Sequence, residues 1–118
     1  MDKKEYLFEV KRCELSTKKI NQIEKKYSQK VPNVLGEVLS FAGNVDFFDE
    51  ERRAMDFDEI VTSSEELNID FVKLGLVPVI DAYDNTYIVY SFFENVWAKY
   101  NIIDKTMFKK KENLEDVL

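Results

Sequence analysis

The stretch LGLVPVIDAYDNTYIVYSFFENVWAKYNI, residues 74–102, decides the fold, because apolar runs alternate in it with short polar turns. Leu74–Ile80 is a short apolar run whose proline favours an edge position or the start of a strand. Thr86–Tyr90 is apolar on both faces, which predicts a central strand, and Val96–Ile102 predicts the next one. Turns are expected at Asp84-Asn85 and Glu94-Asn95. The stretch therefore predicts an antiparallel meander.

Two helical patterns precede the meander. A helix is expected from a cap at Ser16 or Thr17 to about Ser28. Its apolar side chains recur at helical spacing, at Ile20, Ile23 and Tyr27. A second helix, from about Pro32 to Ala42, is apolar on most sides and is expected to be buried, with Gly43-Asn44 as its left-handed stop.

The remaining segments carry shorter patterns. Tyr6, Phe8 and Val10 alternate with their neighbours, which predicts a short strand at about residues 5–11 or the start of a helix. A short strand is expected around Ala54–Phe57, and a short helix near residues 63–68 with a cap at Thr62 or Ser63. Asn113 is expected to cap a last helix that runs to Leu118.

The order of these elements predicts the fold class. Helices come first, then the meander, then a closing helix. This order predicts an α+β fold in which the N-terminal helices pack on one side of an antiparallel sheet, with a closing C-terminal helix. A chain of 118 residues suits a single domain, 1–118, and is too short for two independent cores.

Composition excludes several kinds of chemistry. The chain has no histidine and one cysteine, Cys13, so Ser-His-Asp and Cys-His catalysis and an internal disulfide are excluded. We expect no cofactor, no metal site and no enzymatic activity. The charged N-terminal residues and the absence of a long apolar run predict a cytoplasmic protein without a secretory signal or a membrane span.

Charge is distributed unevenly along the chain. Residues 31–104 contain 15 Asp and Glu and only four Lys and Arg, whereas residues 1–30 and 105–118 are mildly basic. The net charge of −6 argues against direct binding of nucleic acid, which depends on neutralising phosphates. The acidic middle of the chain points instead to a basic partner.

Several segments together resemble one protein family. Residues 20–44 read I-x-x-I-E-x-x-Y and then V-P-N-V-L-x-x-V-L-x-F-A-G-N. Four further segments follow in matching order: Met55–Ile60, Leu76–Val79, Asp84–Val89 and Phe108–Leu118. Over about residues 18–118 the chain resembles the SUKH superfamily, the Smi/Knr-type domain of fungal cell-wall regulators and of many bacterial immunity proteins.

The resemblance implies a protein that binds another protein. It implies a non-enzymatic immunity protein that binds and neutralises a cognate toxin of a bacterial polymorphic toxin system. Nucleases are frequent among such toxins, and their positive substrate-binding surfaces would meet an acidic surface. The alternative is a regulatory or scaffolding adaptor of the Smi/Knr type that has no toxin partner. The oligomeric state is left open.

Charge placement and aromatic residues suggest the partner-binding surface. The expected carboxylates are Asp46, Asp49, Glu50, Glu51, Asp81, Asp84 and Glu94. The expected aromatic anchors are Phe48, Tyr83 and Phe93. An aromatic ring surrounded by carboxylates is a reasonable anchor for a protein partner, although a Phe47 or Phe48 that fills the core is the simpler interpretation.

Simpler structural roles compete with chemistry at other positions. Asp56, Asp58 and Glu59 could bind a divalent cation but more simply form a solvated edge. Asp81 and Asp84 could pair as acid and base, but turn residues that accept backbone hydrogen bonds are the simpler interpretation. Cys13 is expected to be a passive small side chain, and Lys109-Lys110-Lys111 a solvated face.

Overall fold

A computed structural model describes residues 1–43 and 51–118 of the protein. The described residues form five helices, five strands and a short 3-10 helix. The helices are α1 (Lys3–Arg12), α2 (Thr17–Tyr27), α3 (Asn33–Phe41), α4 (Phe57–Leu67) and α5 (Phe71–Leu74). The strands are β1 (Arg53–Ala54), β2 (Leu76–Asp81), β3 (Thr86–Ser91), β4 (Val96–Asn101) and β5 (Thr106–Lys111), and the 3-10 helix is Leu114–Asp116. This architecture confirms the predicted α+β class.

The N-terminal segment is a helix, so of the two predictions for residues 5–11 the strand is wrong and the start of a helix is confirmed. Asp2 caps α1, because its Oδ1 accepts a hydrogen bond of 2.9 Å from the backbone N–H of Glu5. Tyr6 and Val10 lie four residues apart and are both buried, as one face of a helix requires. Phe8, which completed the strand-like alternation, is exposed and lies under the guanidinium of Arg12 at 5.4 Å.

The next two helices confirm the helical spacing. Ser16 caps α2 through a hydrogen bond from the Lys19 N–H to its hydroxyl, and α3 is buried along most of its length. Gly36 allows α2 and α3 to approach closely, because a Cβ at this position would lie 3.1 Å from Cδ1 of Ile20. Gly43 has a φ of +96°, the left-handed conformation expected at the stop.

The fourth helix begins earlier than the sequence indicated. The predicted strand Ala54–Phe57 ends at Ala54, and α4 starts at Phe57 rather than near residue 63. The reason is a capping box in which Asp56 accepts from the N–H of Glu59 while the carboxylate of Glu59 accepts from the N–H of Asp56. Thr62 and Ser63, the caps expected from the sequence, therefore lie inside α4.

The sheet is an antiparallel meander in the order β1-β2-β3-β4-β5, which places β3 in the centre as predicted. Ile88 and Tyr90 of β3 face a core shared with α1, α2, α3 and α4. Val89 faces the opposite side, where it packs with Ala98 and with Phe71 of α5. The helices therefore do not all lie on one side of the sheet, since α5 covers part of the second face.

Pro78 lies within β2, next to an irregularity in its pairing with β3. Strand β1 pairs with Ile80 and Asp81, and the Met55 N–H then donates to the carbonyl of Val79 at 3.0 Å. Because β1 ends there, no strand among the described residues pairs with β2 on that side at Pro78. Proline, which has no backbone N–H, is therefore tolerated although β2 is not an edge strand.

The C-terminal region differs from the predicted closing helix. Residues 106–111 form β5, and the segment after it contains only the 3-10 helix Leu114–Asp116, which Asn113 does not cap through its side chain. Three exposed lysines lie on β5, namely Lys109, Lys110 and Lys111. They do not show the apolar alternation from which a strand is predicted. Leu114 and Val117 are buried, so this segment packs on the core as the predicted helix would have done.

Among the described residues, no helix has both the length and the apolar character that a bilayer span requires.

One buried hydrogen bond joins the helices to the sheet and gives the first prediction. The hydroxyl of Tyr27 donates to the carbonyl of Leu76 at 2.8 Å, beside the ring of Phe92. Tyr27→Phe removes this bond, so we expect it to lower the free energy of unfolding by about 1 kcal/mol in urea titrations. Tyr83→Phe, at an exposed ring, is the control and should change it by less than about 0.5 kcal/mol. Equal values for the two variants would contradict the role of this bond.

The same tyrosine gives a prediction for alkaline pH. Burial, followed by the charges of Asp70 and Glu65, raises the pKa of Tyr27 above its ordinary value of 10.0. The pKa of Tyr27 is higher in the folded state than in the unfolded state. The protonated hydroxyl therefore contributes its full stabilisation below about pH 10, and this contribution is lost as the pH rises further. Above that pH we expect the free energy of unfolding to fall less steeply for Tyr27→Phe than for the wild type, by up to about 1.4 kcal/mol per pH unit. Parallel pH dependences of the two proteins would contradict the prediction.

Candidate functional site

The structure places the predicted partner-binding residues at two separate ends of the sheet. Asp81, Tyr83 and Asp84 lie at or after the end of β2, and Glu51 lies two residues before Arg53, which pairs with Asp81. Phe93 and Glu94 follow β3 at the other end, about 20 Å away along a strand of this length. Asp46, Phe48, Asp49 and Glu50, together with Phe47 and Asn44, lie outside the described residues. The candidate residues that can be located therefore do not share one surface.

The turn between β2 and β3 has an unusual backbone. Tyr83, Asp84 and Asn85 have φ values of 71°, 53° and 61°, three consecutive left-handed residues without a glycine. This conformation is uncommon outside glycine and is least favourable for a bulky residue such as tyrosine. The cost is met locally: Oδ1 of Asp81 accepts from the Tyr83 N–H at 3.1 Å, and the Ala82 N–H donates to the Thr86 carbonyl at 2.8 Å. The turn holds the Tyr83 side chain 69% exposed.

The turn between β4 and β5 lies beside it. The side-chain oxygen of Asn101 accepts from the N–H groups of Ile103 and Asp104, both at 2.9 Å, which fixes the turn. The N–H of Ile102 donates to the carbonyl of Asn85 at 2.9 Å and so joins the two turns directly. Ile103 is 67% exposed, and the neighbouring Asp104 is also exposed.

These two turns form one surface, called here the turn-pair surface. Its members are Tyr83, Asp84, Asn85, Ile103 and Asp104. Two large apolar side chains are exposed on it, and each is followed directly in the chain by a carboxylate. Backbone and side-chain hydrogen bonds hold both turns, so the surface is organised before any partner arrives.

Sequence reasoning missed Ile103 and Asp104. The strand was expected to end at Ile102, and neither an element nor a site was assigned to these two residues. The signal that could have found them is Asn101 followed by Asp104, a pairing typical of a turn in which an Asn side chain accepts backbone N–H groups. That this turn lies beside Asn85 depends on the register of β3 and β4, in which Thr86 pairs with Asn101.

Asp81 supports the turn instead of facing outward as a free charge. Besides accepting from Tyr83, its carboxylate lies 3.9 Å from Arg53. Arg53 makes a two-pronged contact with Glu59, at 2.7 and 2.6 Å, and Glu59 also completes the capping box of α4. The hydrogen bond from Arg53 is the main cause that lowers the pKa of Glu59, and the hydrogen bond to Glu59 is the main cause that raises the pKa of Arg53. This ion network fixes the base of the β2–β3 turn.

Phe93 and Glu94, at the opposite end, each contact another part of the chain, although Phe93 is 61% exposed. The ring of Phe93 lies so close to Gly75 that a Cβ there would be 2.8 Å from its Cε2 atom. Gly75 has a φ of +69°, so the backbone also favours glycine at this position. Glu94 pairs with Lys110 at 2.9 Å, which offsets its charge. Glu94 therefore contributes less free negative charge than the sequence indicated.

The groups considered for chemistry have structural roles. Asp56 and Glu59 form the capping box, and no group of three metal-ligating side chains occurs in the part of the chain that the structure describes. The thiol of Cys13 donates to the carbonyl of Val10 at 3.2 Å. Burial, with the nearby charge of Glu37, raises the pKa of Cys13, which keeps the thiol protonated at neutral pH.

Comparisons with protein-family models, with curated proteins and with solved structures found no match to this chain.

Substitutions at Asp81 test how the β2–β3 turn is held. Asp81→Ala removes both the acceptor for the Tyr83 N–H and the charge beside Arg53, so we expect it to lower the free energy of unfolding by about 1 kcal/mol. Asp81→Asn keeps an acceptor oxygen and should cost clearly less. Asp104→Ala is the matched control, because the carboxylate of Asp104 has no hydrogen-bond or ion-pair partner among residues 1–43 and 51–118. If alanine costs no more than asparagine in urea titrations, the carboxylate does not hold the turn.

Proposed function

We propose that the protein is a non-enzymatic binding domain that engages a protein partner through the turn-pair surface. The observation that supports this most directly is the pair of exposed side chains, Tyr83 and Ile103, on two turns that a backbone hydrogen bond joins. Exposed aromatic and aliphatic residues on a rigid backbone are typical anchors of protein interfaces. The left-handed backbone at Tyr83 costs energy that a merely connecting turn would not require.

The partner we propose is basic. Asp84 and Asp104 flank the two apolar side chains and are exposed, so they would meet positive charge at the rim of an interface. Charge of this kind speeds association and excludes wrong partners more than it adds affinity. The apolar anchors would supply most of the binding free energy.

The resemblance to the SUKH superfamily extends the proposal to a biological role. The protein would be an immunity protein that binds and neutralises a cognate toxin domain, for which a nuclease with a positive active-site surface is a fitting example. Binding would take place in the cytoplasm, before the toxin reaches its substrate. An adaptor of the Smi/Knr type would use the same surface for several weaker partners.

Capture experiments with matched variants test this proposal. Asp84→Asn combined with Asp104→Asn removes two carboxylates from the turn-pair surface, and asparagine tolerates the left-handed backbone at residue 84. Glu65→Gln combined with Glu66→Gln makes the same change in net charge on the exposed part of α4. With tagged protein and lysate of the source organism, we expect the wild type and the α4 variant to retain one stoichiometric basic protein. The turn variant should weaken its capture about tenfold or more, mainly through slower association at low salt.

A second variant pair tests the apolar anchors. Tyr83→Ala and Ile103→Ala should each weaken binding of the captured protein by a factor of about 30 or more, the usual effect at an interface hot spot. Leu74→Ala, at an apolar residue that is 42% exposed on α5, is the control and should leave binding unchanged. Several substoichiometric partners without a toxin would favour the adaptor. Capture that none of the turn variants affects would refute the turn-pair surface as the site.

A further inference from the structure

An open cleft lies on the helical side of the molecule, apart from the turn-pair surface. Its walls are α1, α3, the start of β4 and the segment 112–115 that follows β5, and its volume is about 120 Å³. Pockets for drug-sized ligands have volumes of roughly 300–1,000 Å³, so this cleft is too small for a nucleotide or a typical cofactor. It has room for one side chain.

The floor of the cleft is apolar and fixed. Leu7, Val38 and Trp97 line it, and Val34 stands half-exposed at its side. Trp97 is 1% exposed and packs edge-on against Tyr90, with the ring centroids 5.1 Å apart. A side chain with an apolar stem would therefore bury that stem without rearranging the core.

The rim of the cleft is acidic. Three glutamates, Glu37, Glu112 and Glu115, line it, against a single lysine, Lys11. Within the described parts of the chain, none of these three carboxylates has an ion-pair partner. The rim therefore presents unneutralised negative charge above an apolar floor, which complements a side chain with an apolar stem and a cationic end.

We propose that this cleft binds an arginine side chain of the protein partner. The methylene stem of arginine would lie on the apolar floor, and its guanidinium would reach the carboxylates at the rim. A guanidinium is planar and carries five N–H donors, so it can bind two carboxylates at once, which a lysine ammonium does less well. This inference rests on the proposed function in one respect, that the arginine belongs to a protein.

The cleft and the turn-pair surface are distinct places on the molecule. Trp97 lies at the start of β4 and Asn101 at its end, about 13 Å apart along the strand. A protein interface of ordinary size, about 800 Å² per partner, spans such a distance. If one partner covers both places, the arginine in the cleft would add a second contact to the one at the turns. Otherwise the cleft would be a separate contact with a protein partner.

A small cationic probe tests the cleft directly. The probe is N-acetyl-L-arginine amide, and its neutral isostere N-acetyl-L-citrulline amide is the matched control. Trp97 is the one tryptophan of the chain, so its indole N–H gives a single, unambiguous NMR signal at the cleft floor. At constant ionic strength we expect the arginine probe to shift this signal saturably, with a dissociation constant of the order of millimolar, and the citrulline probe to bind at least about tenfold more weakly.

Two variants locate the effect. Glu112→Gln combined with Glu115→Gln changes exposed residues and should weaken arginine binding about tenfold, whereas the same change in charge at Glu65 and Glu66 should not. Val34→Phe should fill the cleft and abolish the shift, while unfolding in urea checks that the fold is kept. Equal shifts with both probes, no shift, or binding that the cleft variants leave unchanged would overturn the inference. If the arginine probe fails while Asp84→Asn with Asp104→Asn still lowers partner capture, the cleft is wrong and the proposed function stands.

Discussion

Burial of β3 on both faces is the constraint on which the rest of the structure depends. Ile88 and Val89 are neighbours in the chain, point to opposite faces and are both fully buried. A strand of this kind must be covered twice, so α1 to α4 cover one face and the short helix α5 covers part of the other. The buried bond from the Tyr27 hydroxyl to the Leu76 carbonyl fixes the helical layer on the strand next to β3.

The same arrangement determines which turns lie at the same end of the sheet. Because the strands form a meander, the β2–β3 and β4–β5 turns emerge at the same end of the sheet, and the β3–β4 turn emerges at the other. Where two turns are adjacent, the bond between Ile102 and Asn85 joins them into one surface. At the single turn at the other end, the ring of Phe93 lies close to Gly75 and Glu94 forms an ion pair with Lys110.

Much of the fold could be predicted from the sequence, because local periodicity decided it. The strands from Leu76 to Asn101 and the helices α2 and α3 carry clear patterns of their own. The pattern of the first helix did not decide between a strand and a helix, since Tyr6 and Val10 fit both. Phe8, which favoured the strand, is exposed under Arg12 instead of buried. Strand β5 was not predicted, because its three consecutive exposed lysines do not show the apolar pattern of a strand.

The candidate site was predicted less completely, for a different physical reason. Tyr83 and Asp84 are recognisable as turn residues, but Ile103 and Asp104 join them only through the register of β3 and β4. Charge alone also gave no indication that Asp81 and Glu94 have cationic partners, because these partners, Arg53 and Lys110, lie on other strands. The acidic rim of the cleft combines residues from α3 and from the segment after β5, which no local pattern connects.

Hydrogen exchange of the protein with and without its captured partner tests the central claim most directly. The claim is that the turn-pair surface is the binding site. It predicts that binding slows exchange of the amides at residues 82–86 and 102–105, while the amides of α4 exchange as before. Slower exchange confined to α4, or to the β3–β4 turn with the other two turns unchanged, would contradict it.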